Sequence, residues 1–355
     1  MLNFTHKRTL NAFALATVLS MTSFSSANIV QAEPNPNFHV YICIGQSNME
    51  GNAAIETVDK QNIDARFKMM AAVDFQSPVR KRGKWYKAVP PLCRQGTGLT
   101  PCDYFGRTMV ANLPEDITVG VINIAIGGCK IEHLSKGFNP KDLANEADWF
   151  KAYMSAYDNV PYDRIIECAK KAQETGVIKG ILLHQGCSNN GDSQWAMKVR
   201  KLYNNLIADL DLVPEETPLL VGQLLDKEQG GACWGMNTTI DRIQRYIPNA
   251  HTISSENCPG KDDHLHFTAE GYRILGTRYA EKMLSLMGIK DPVLVHTAPY
   301  TPVADAIIAP WAQMSSQSDA VYTLNGKRIA TSFKNVQSTL PRGTYFVGGK
   351  KVLIR

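Results

Sequence analysis

Five short apolar runs rich in Val, Ile and Leu recur along the chain: FHVYICI at 38–44, ITVGVINIAI at 117–126, GILLHQG at 180–186, PLLVGQLL at 218–225 and HTISSE at 251–256. They alternate little between apolar and polar side chains, as strands covered on both faces do. Between them lie amphipathic stretches: YDRIIECAKKAQETG (162–176), with Gly176 as a C-cap, MKVRKLYNNLIADL (197–210), and TAEGYRILGTRYAEKMLSLMG (268–288), with Thr268 as N-cap. Strand-helix alternation of this kind demands right-handed crossovers and a parallel sheet. The expected fold is therefore α/β, a three-layer α/β/α sandwich on a five-stranded parallel sheet, occupying residues 33–289. With 44% hydrophobic residues in 355, the chain has material for such a core.

The two ends differ in character. Lys7 and Arg8, the apolar stretch NAFALATVLSM and the small-x-small step Val30-Gln31-Ala32 read as an export signal over residues 1–32. Its apolar part is shorter than the roughly 20 residues of a membrane span, so a single anchor is the alternative of lower weight. Residues 290–318, with Pro292, Pro299, Pro302 and Pro310, have no period and read as a linker. In 319–355, Asn325-Gly326 and Gly348-Gly349 separate alternating β-rich runs, which predicts hairpins in a small β appendage.

Charge and cysteine usage narrow the function classes. Removing Lys7 and Arg8 with the signal leaves 36 basic against 33 acidic side chains, a net of +3. With no basic run interleaved with aromatics, nothing points to a nucleic-acid partner. The eight cysteines form no CxxC pair, which argues against a metal knuckle. In an exported chain Cys93 with Cys102, and Cys233 with Cys258, are candidate bridges, whereas Cys43 reads as a small buried hydrophobe.

Ligands of parallel sheets collect at the carboxyl ends of the strands, and there the chain is rich in chemistry. GQSNMEG (45–51) follows the first strand and places Ser47 on a glycine-bracketed turn. A serine hydroxyl needs a base to become a nucleophile, and the base needs a third group to orient it. Asp263 and His266 in KDDHLHFT (261–268) can supply both; Asp262 competes as orienter, but the DxxH spacing favours Asp263. Gly127-Gly128-Cys129 offers backbone N–H groups after the second strand, and His184-Gln185-Gly186 offers side-chain donors after the third. His184 reads as a structural histidine, and His264 as lying on the opposite side of an extended loop.

GQSNMEG (45–51), INIAIGGCKIE (122–132), HQGCSNNGD (184–192) and DDHLHF (262–267) together resemble the four blocks of the SGNH hydrolase superfamily. The branch resembled is the sialate O-acetylesterase-like group that includes the acetylxylan esterases of carbohydrate esterase family 6. That resemblance implies a serine deacetylase: Ser47 as nucleophile, His266 as general base and then acid, and Asp263 orienting His266. It also implies an oxyanion hole from the Ser47 and Gly128 N–H groups and the Gln185 side chain. Gln46, Asn48 and His133 are the candidate substrate contacts, His133 either lining the acyl pocket or facing solvent. No metal and no organic cofactor is required by this chemistry. The third block departs from its usual HQGES, with Cys187 where the family carries glutamate.

The implied activity is removal of O-acetyl groups from carbohydrate, acetylxylan first, with sialate O-acetylesterase and a catalytically impaired carbohydrate-binding protein as alternatives. A phospholipid-directed relative would need an apolar lid, and no long apolar loop is present. Residues 319–355 resemble the sorting tails of type IX secretion substrates, which implies secretion machinery as a partner and a secreted or cell-surface location, the periplasm being the fallback. The plain alternative is a β module packed on the catalytic domain.

Overall fold

Strand β1 (Phe38–Gly45), buried over nearly its whole length, is the hub from which the rest of the sheet is built. The computed structural model describes Met1, residues 33–295 and, toward the C-terminus, residues 321–323, 328–330, 340, 343–347 and 350–354. β1 pairs in parallel with β6 (Thr118–Ala125) on one side and β7 (Val177–His184) on the other. Beyond β7 come β8 (Leu219–Gly222) and β9 (Ala250–Ile253), and beyond β6 come β2 (Phe67–Met70) and β5 (Trp85–Lys87). Every pairing is parallel except β2 with β5, which closes one edge.

The five apolar runs thus supply five strands, and the sheet has two more. FKMM and WYK form β2 and β5, and both are short and carry a lysine, so they lack the apolar continuity that marks the others. A two-residue ribbon, β3 (Phe75–Gln76) with β4 (Val79–Arg80), stands apart.

Helices cover both faces. α3 (Pro101–Asn112) and α8 (Ala269–Leu286) pack on each other and on one face, where Tyr41 meets Phe105 edge-on at 4.8 Å. α5 (Pro161–Gln173) lies against β1, β6 and β7, with α6 (Trp195–Asp209) nearby in the same layer. Shorter helices occupy the connections: α1 (Ser47–Glu50), α2 (Thr57–Lys60), α4 (Asp148–Ser155) and α7 (Asn237–Ile240). Thr100 caps α3 through a reciprocal box with Asp103, and the Thr268 hydroxyl accepts from Gly271 N–H to start α8.

In the last segment β10 (Val321–Thr323), β11 (Arg328–Ala330), β12 (Gly343–Val347) and β13 (Lys350–Ile354) form an antiparallel sheet in the order β11-β10-β12-β13. The Asn325-Gly326 and Gly348-Gly349 steps fall between paired strands but outside the described residues, as do residues 2–32 of the expected export signal and 296–318 of the expected linker. Among the described residues no helix is long and apolar enough to cross a membrane.

All eight cysteines are free thiols, so neither expected bridge is present. The reason is orientation. Cys93 faces the Ala125 carbonyl and the Tyr157 hydroxyl, Cys102 faces the Met49 sulfur, and Cys258 meets the Arg278 guanidinium.

Candidate active site

β1 delivers Ser47 to the carboxyl edge of the sheet. Gly45 passes so close to β7 that a Cβ there would stand 2.2 Å from the His184 carbonyl oxygen, so no larger residue fits. The chain then turns into α1, held by Gln46 N–H donating to His184 O at 3.1 Å.

Opposite, the 261–268 loop presents its base. His266 Nε2 lies 2.7 Å from Ser47 Oγ, and His266 Nδ1 lies 2.8 Å from Asp263 Oδ2. With the Nδ1 proton engaged by a carboxylate, the Nε2 lone pair is left to accept from the serine hydroxyl. The other oxygen of Asp263 accepts from the N–H groups of Leu265 and His266 at 3.0 and 2.9 Å. Burial alone would raise the Asp263 pKa; the His266 hydrogen bond and these two N–H groups outweigh it and hold the carboxyl down at about 2. Asp263 rather than Asp262 therefore orients the ring.

This loop is pinned from several sides. Asn48 Nδ2 donates to Leu265 O at 3.0 Å, and Asn48 Oδ1 accepts from Tyr272 OH at 2.7 Å. Lys261 N–H donates to His266 O at 2.8 Å, and Ala232 N–H to His264 O at 2.8 Å. His264 points away from the serine, its Nδ1 3.0 Å from Gly230 O.

A glycine turn packs against the end of the strand that carries the serine. The turn 126–129 is fixed to β1 by Ile126 N–H donating to Gly45 O at 3.1 Å. Gly128 has φ +77, a conformation that favours glycine. Among the described residues neither the Ser47 N–H nor the Gly128 N–H donates to a protein acceptor, whereas Gly127 N–H donates to Glu50 Oε1 at 2.8 Å. Two N–H groups at this edge are free to meet a developing oxyanion.

Four expected contacts take other roles. Gln185 is fully buried and sits in the framework: its Nε2 donates to Asn189 Oδ1 at 2.7 Å and to Gln46 Oε1 at 3.1 Å, and its Oε1 accepts from Trp195 Nε1 at 2.5 Å. No amide hydrogen remains for an oxyanion. Gln46 is likewise buried, its Oε1 accepting from the N–H groups of Gly186 and Ser188 at 3.1 and 3.2 Å. Asn48 is consumed by the clamp on Leu265, and His133 is packed between Phe138 and Phe150 with Nδ1 accepting from Lys130 N–H at 3.0 Å. Burial, with Lys130 adding to it, pushes His133 toward the neutral form.

His184 is fully buried with Nε2 2.9 Å from Gln223 O, and burial pushes its pKa down to about 4, so it is a neutral structural group. Cys187 shares a hydrogen bond with Cys233, and that bond together with burial raises the Cys187 pKa. That upward push disfavours the Cys187 thiolate, the form a nucleophile would need.

One pair of residues was missed by the sequence reading. Glu50, one turn after Ser47, is buried and ion-paired with Arg94, and the same carboxylate oxygen receives Gly127 N–H. It ties the serine helix, the glycine turn and the 94–98 loop into one unit. Glu50 stands within GQSNMEG, where an acid among amides and apolar residues could have drawn attention; Arg94 had no such marker.

A hydroxyl, an imidazole and a carboxylate in one row at the carboxyl edge of a parallel sheet are the arrangement of a serine hydrolase. The family described as carbohydrate esterase, sialic acid-specific acetylesterase, matches residues 37–285, and the chain belongs to that family. It is a carbohydrate acetylesterase. Among solved structures, one of a protein from Arabidopsis thaliana is similar over 71% of this chain and 99% of that one, with 20% identity and a TM-score of 0.54. A carbohydrate acetylesterase from Xanthomonas citri is similar over 69% of this chain and 55% of that one, at 20% identity and a TM-score of 0.49.

Proposed function

We propose that this chain removes O-acetyl groups from an acetylated polysaccharide, xylan first, by way of an acetyl-enzyme on Ser47, and that it does so outside the cytoplasm. The observation that carries the mechanism is the continuous row from Ser47 Oγ through His266 to Asp263, at 2.7 and 2.8 Å. His266 Nε2 takes the hydroxyl proton as Ser47 attacks the acetyl carbonyl, and Asp263 stabilises the imidazolium. The Ser47 and Gly128 N–H groups meet the oxyanion. His266 then gives its proton to the departing sugar oxygen, and water admitted through the same base releases acetate. The xylan assignment rests on the four sequence blocks and their likeness to carbohydrate esterase family 6; export and the secretion-machinery partner rest on residues 1–32 and 319–355. The family description favours a second reading, an O-acetyl sialate as substrate.

Acetate release separates them. A kcat/KM at least tenfold higher on acetylated xylo-oligosaccharide than on O-acetyl sialic acid is the expected result, and the reverse order would replace xylan by sialate.

The Asp263 carboxylate makes a pH-dependent contribution to its loop. Its folded pKa of about 2 lies below the ordinary 3.8, so the stabilisation is fully present above the latter and is lost as pH falls toward the former. The gap in Tm between wild type and Asp263→Asn is therefore expected to be constant above about pH 5 and to close between about pH 4 and pH 2. Thermal melts across that range check it, and a gap that widens toward low pH would contradict it.

A further inference from the structure

Two aromatic rings on α4 stand open at the surface: Trp149 is 55% exposed and Tyr153 38%. Four residues apart, they share one helix face, with ring centroids at 5.7 Å and planes at 73°. An indole left this open retains apolar area that a ligand can cover.

Their neighbours identify that ligand. A Cβ placed on Gly128 would come within 2.6 Å of Trp149 Cη2, and one on Gly127 within 3.6 Å of Tyr153 Cε2, so both rings border the glycine turn beside Ser47. Tyr153 also lines a cleft of about 620 Å³ with Glu50, Asn52, Arg94, Gln95 and Thr97. The Arg94 guanidinium covers one Tyr153 face at 4.4 Å from the ring centroid, which leaves Trp149 as the open ring. Arg94 is the cation among the cleft's lining residues, and Glu50 neutralises it.

We propose that Trp149 is a specificity-determining residue, its indole stacking on the C–H face of an uncharged sugar ring that carries the acetyl group, with the sugar hydroxyls turned toward the side-chain N–H groups of Asn52 and Gln95, whose amide oxygens are already held by Lys261 and by the Gln76 and Ser77 N–H groups. The polarised C–H groups of a pyranose suit the negative face of an indole, and amide N–H groups suit its alcohols. The Lys261 ammonium at the cleft's border is held by Asn52 Oδ1 at 2.7 Å and lies 3.9 Å from Asp263 Oδ2, so with Glu50 on Arg94 both nearby cations have acidic partners, which fits a neutral ring better than an acidic one. The proposal rests on Ser47 being the nucleophile.

The test compares acetylated xylo-oligosaccharide with ethyl acetate, which has no ring to stack. Trp149→Ala is expected to raise KM for the oligosaccharide about tenfold and to leave kcat/KM on ethyl acetate within about twofold, while Trp149→Phe recovers most of the loss. An unchanged KM, or an equal loss on ethyl acetate, would overturn it, the latter showing that the ring only shapes the glycine turn. A wild-type preference for O-acetyl sialate would overturn the neutral ring. Failure of the underlying site looks different: Ser47→Ala would then still turn over both substrates.

Discussion

Replacing Ser47 by alanine is expected to lower kcat/KM on an aryl acetate by about 10⁴–10⁶ while leaving the fold intact. The hydroxyl sits 2.7 Å from His266 Nε2, and its removal deletes the attacking atom without touching the N–H groups around it. Residual rate over water would come from the two free N–H groups and binding. His266→Ala should cost as much, and the double variant no more than either single one, because the two act as a unit. Acetate release with matched melting curves measures this. A Ser47→Ala protein that keeps more than about 1% of activity would require another nucleophile.

The second large effect is on stability. Glu50→Ala is expected to destabilise the domain by about 3–5 kcal/mol, lowering Tm on the order of 10 °C. The substitution strands Arg94, whose side chain is only 12% exposed, and leaves Gly127 N–H without its acceptor. Glu50→Gln should cost less, since its amide oxygen can still accept from Gly127. The pair Glu50→Met with Arg94→Met should cost less than the sum of the two single changes, because each single change leaves a charge unpaired and the double variant leaves none. Catalysis should fall with the Ala variant too, as the Gly127-Gly128 turn loses its tether. A Glu50→Ala protein as stable as wild type would show that water replaces the ion pair.

How much of this was legible beforehand depended on how local each signal is. The strands of unbroken Val, Ile and Leu announce themselves, because burial on both faces leaves no room for alternation; β2 and β5, with Lys68 and Lys87 inside them, do not. Asp263 and His266 are readable because the contact spans three residues and the loop closes on itself through Leu265 and His266 N–H. Sequence gives a side chain's chemistry but not its direction. Gln185, Gln46, Asn48 and His133 have the chemistry of ligand contacts, yet their hydrogen bonds run to partners as distant as Tyr272, 224 residues from Asn48. The Glu50 to Arg94 pair, 44 residues apart, is invisible for the same reason.

The central claim is that Ser47 forms the covalent intermediate. Treating the protein with a fluorophosphonate and mapping the adduct by mass spectrometry addresses it directly. The account predicts a single adduct on Ser47, formed in step with the loss of acetate release and absent from His266→Ala, where the hydroxyl lacks its base. Activity that survives full modification of Ser47, or is lost through an adduct on another residue such as Cys187 or Cys233, would contradict it.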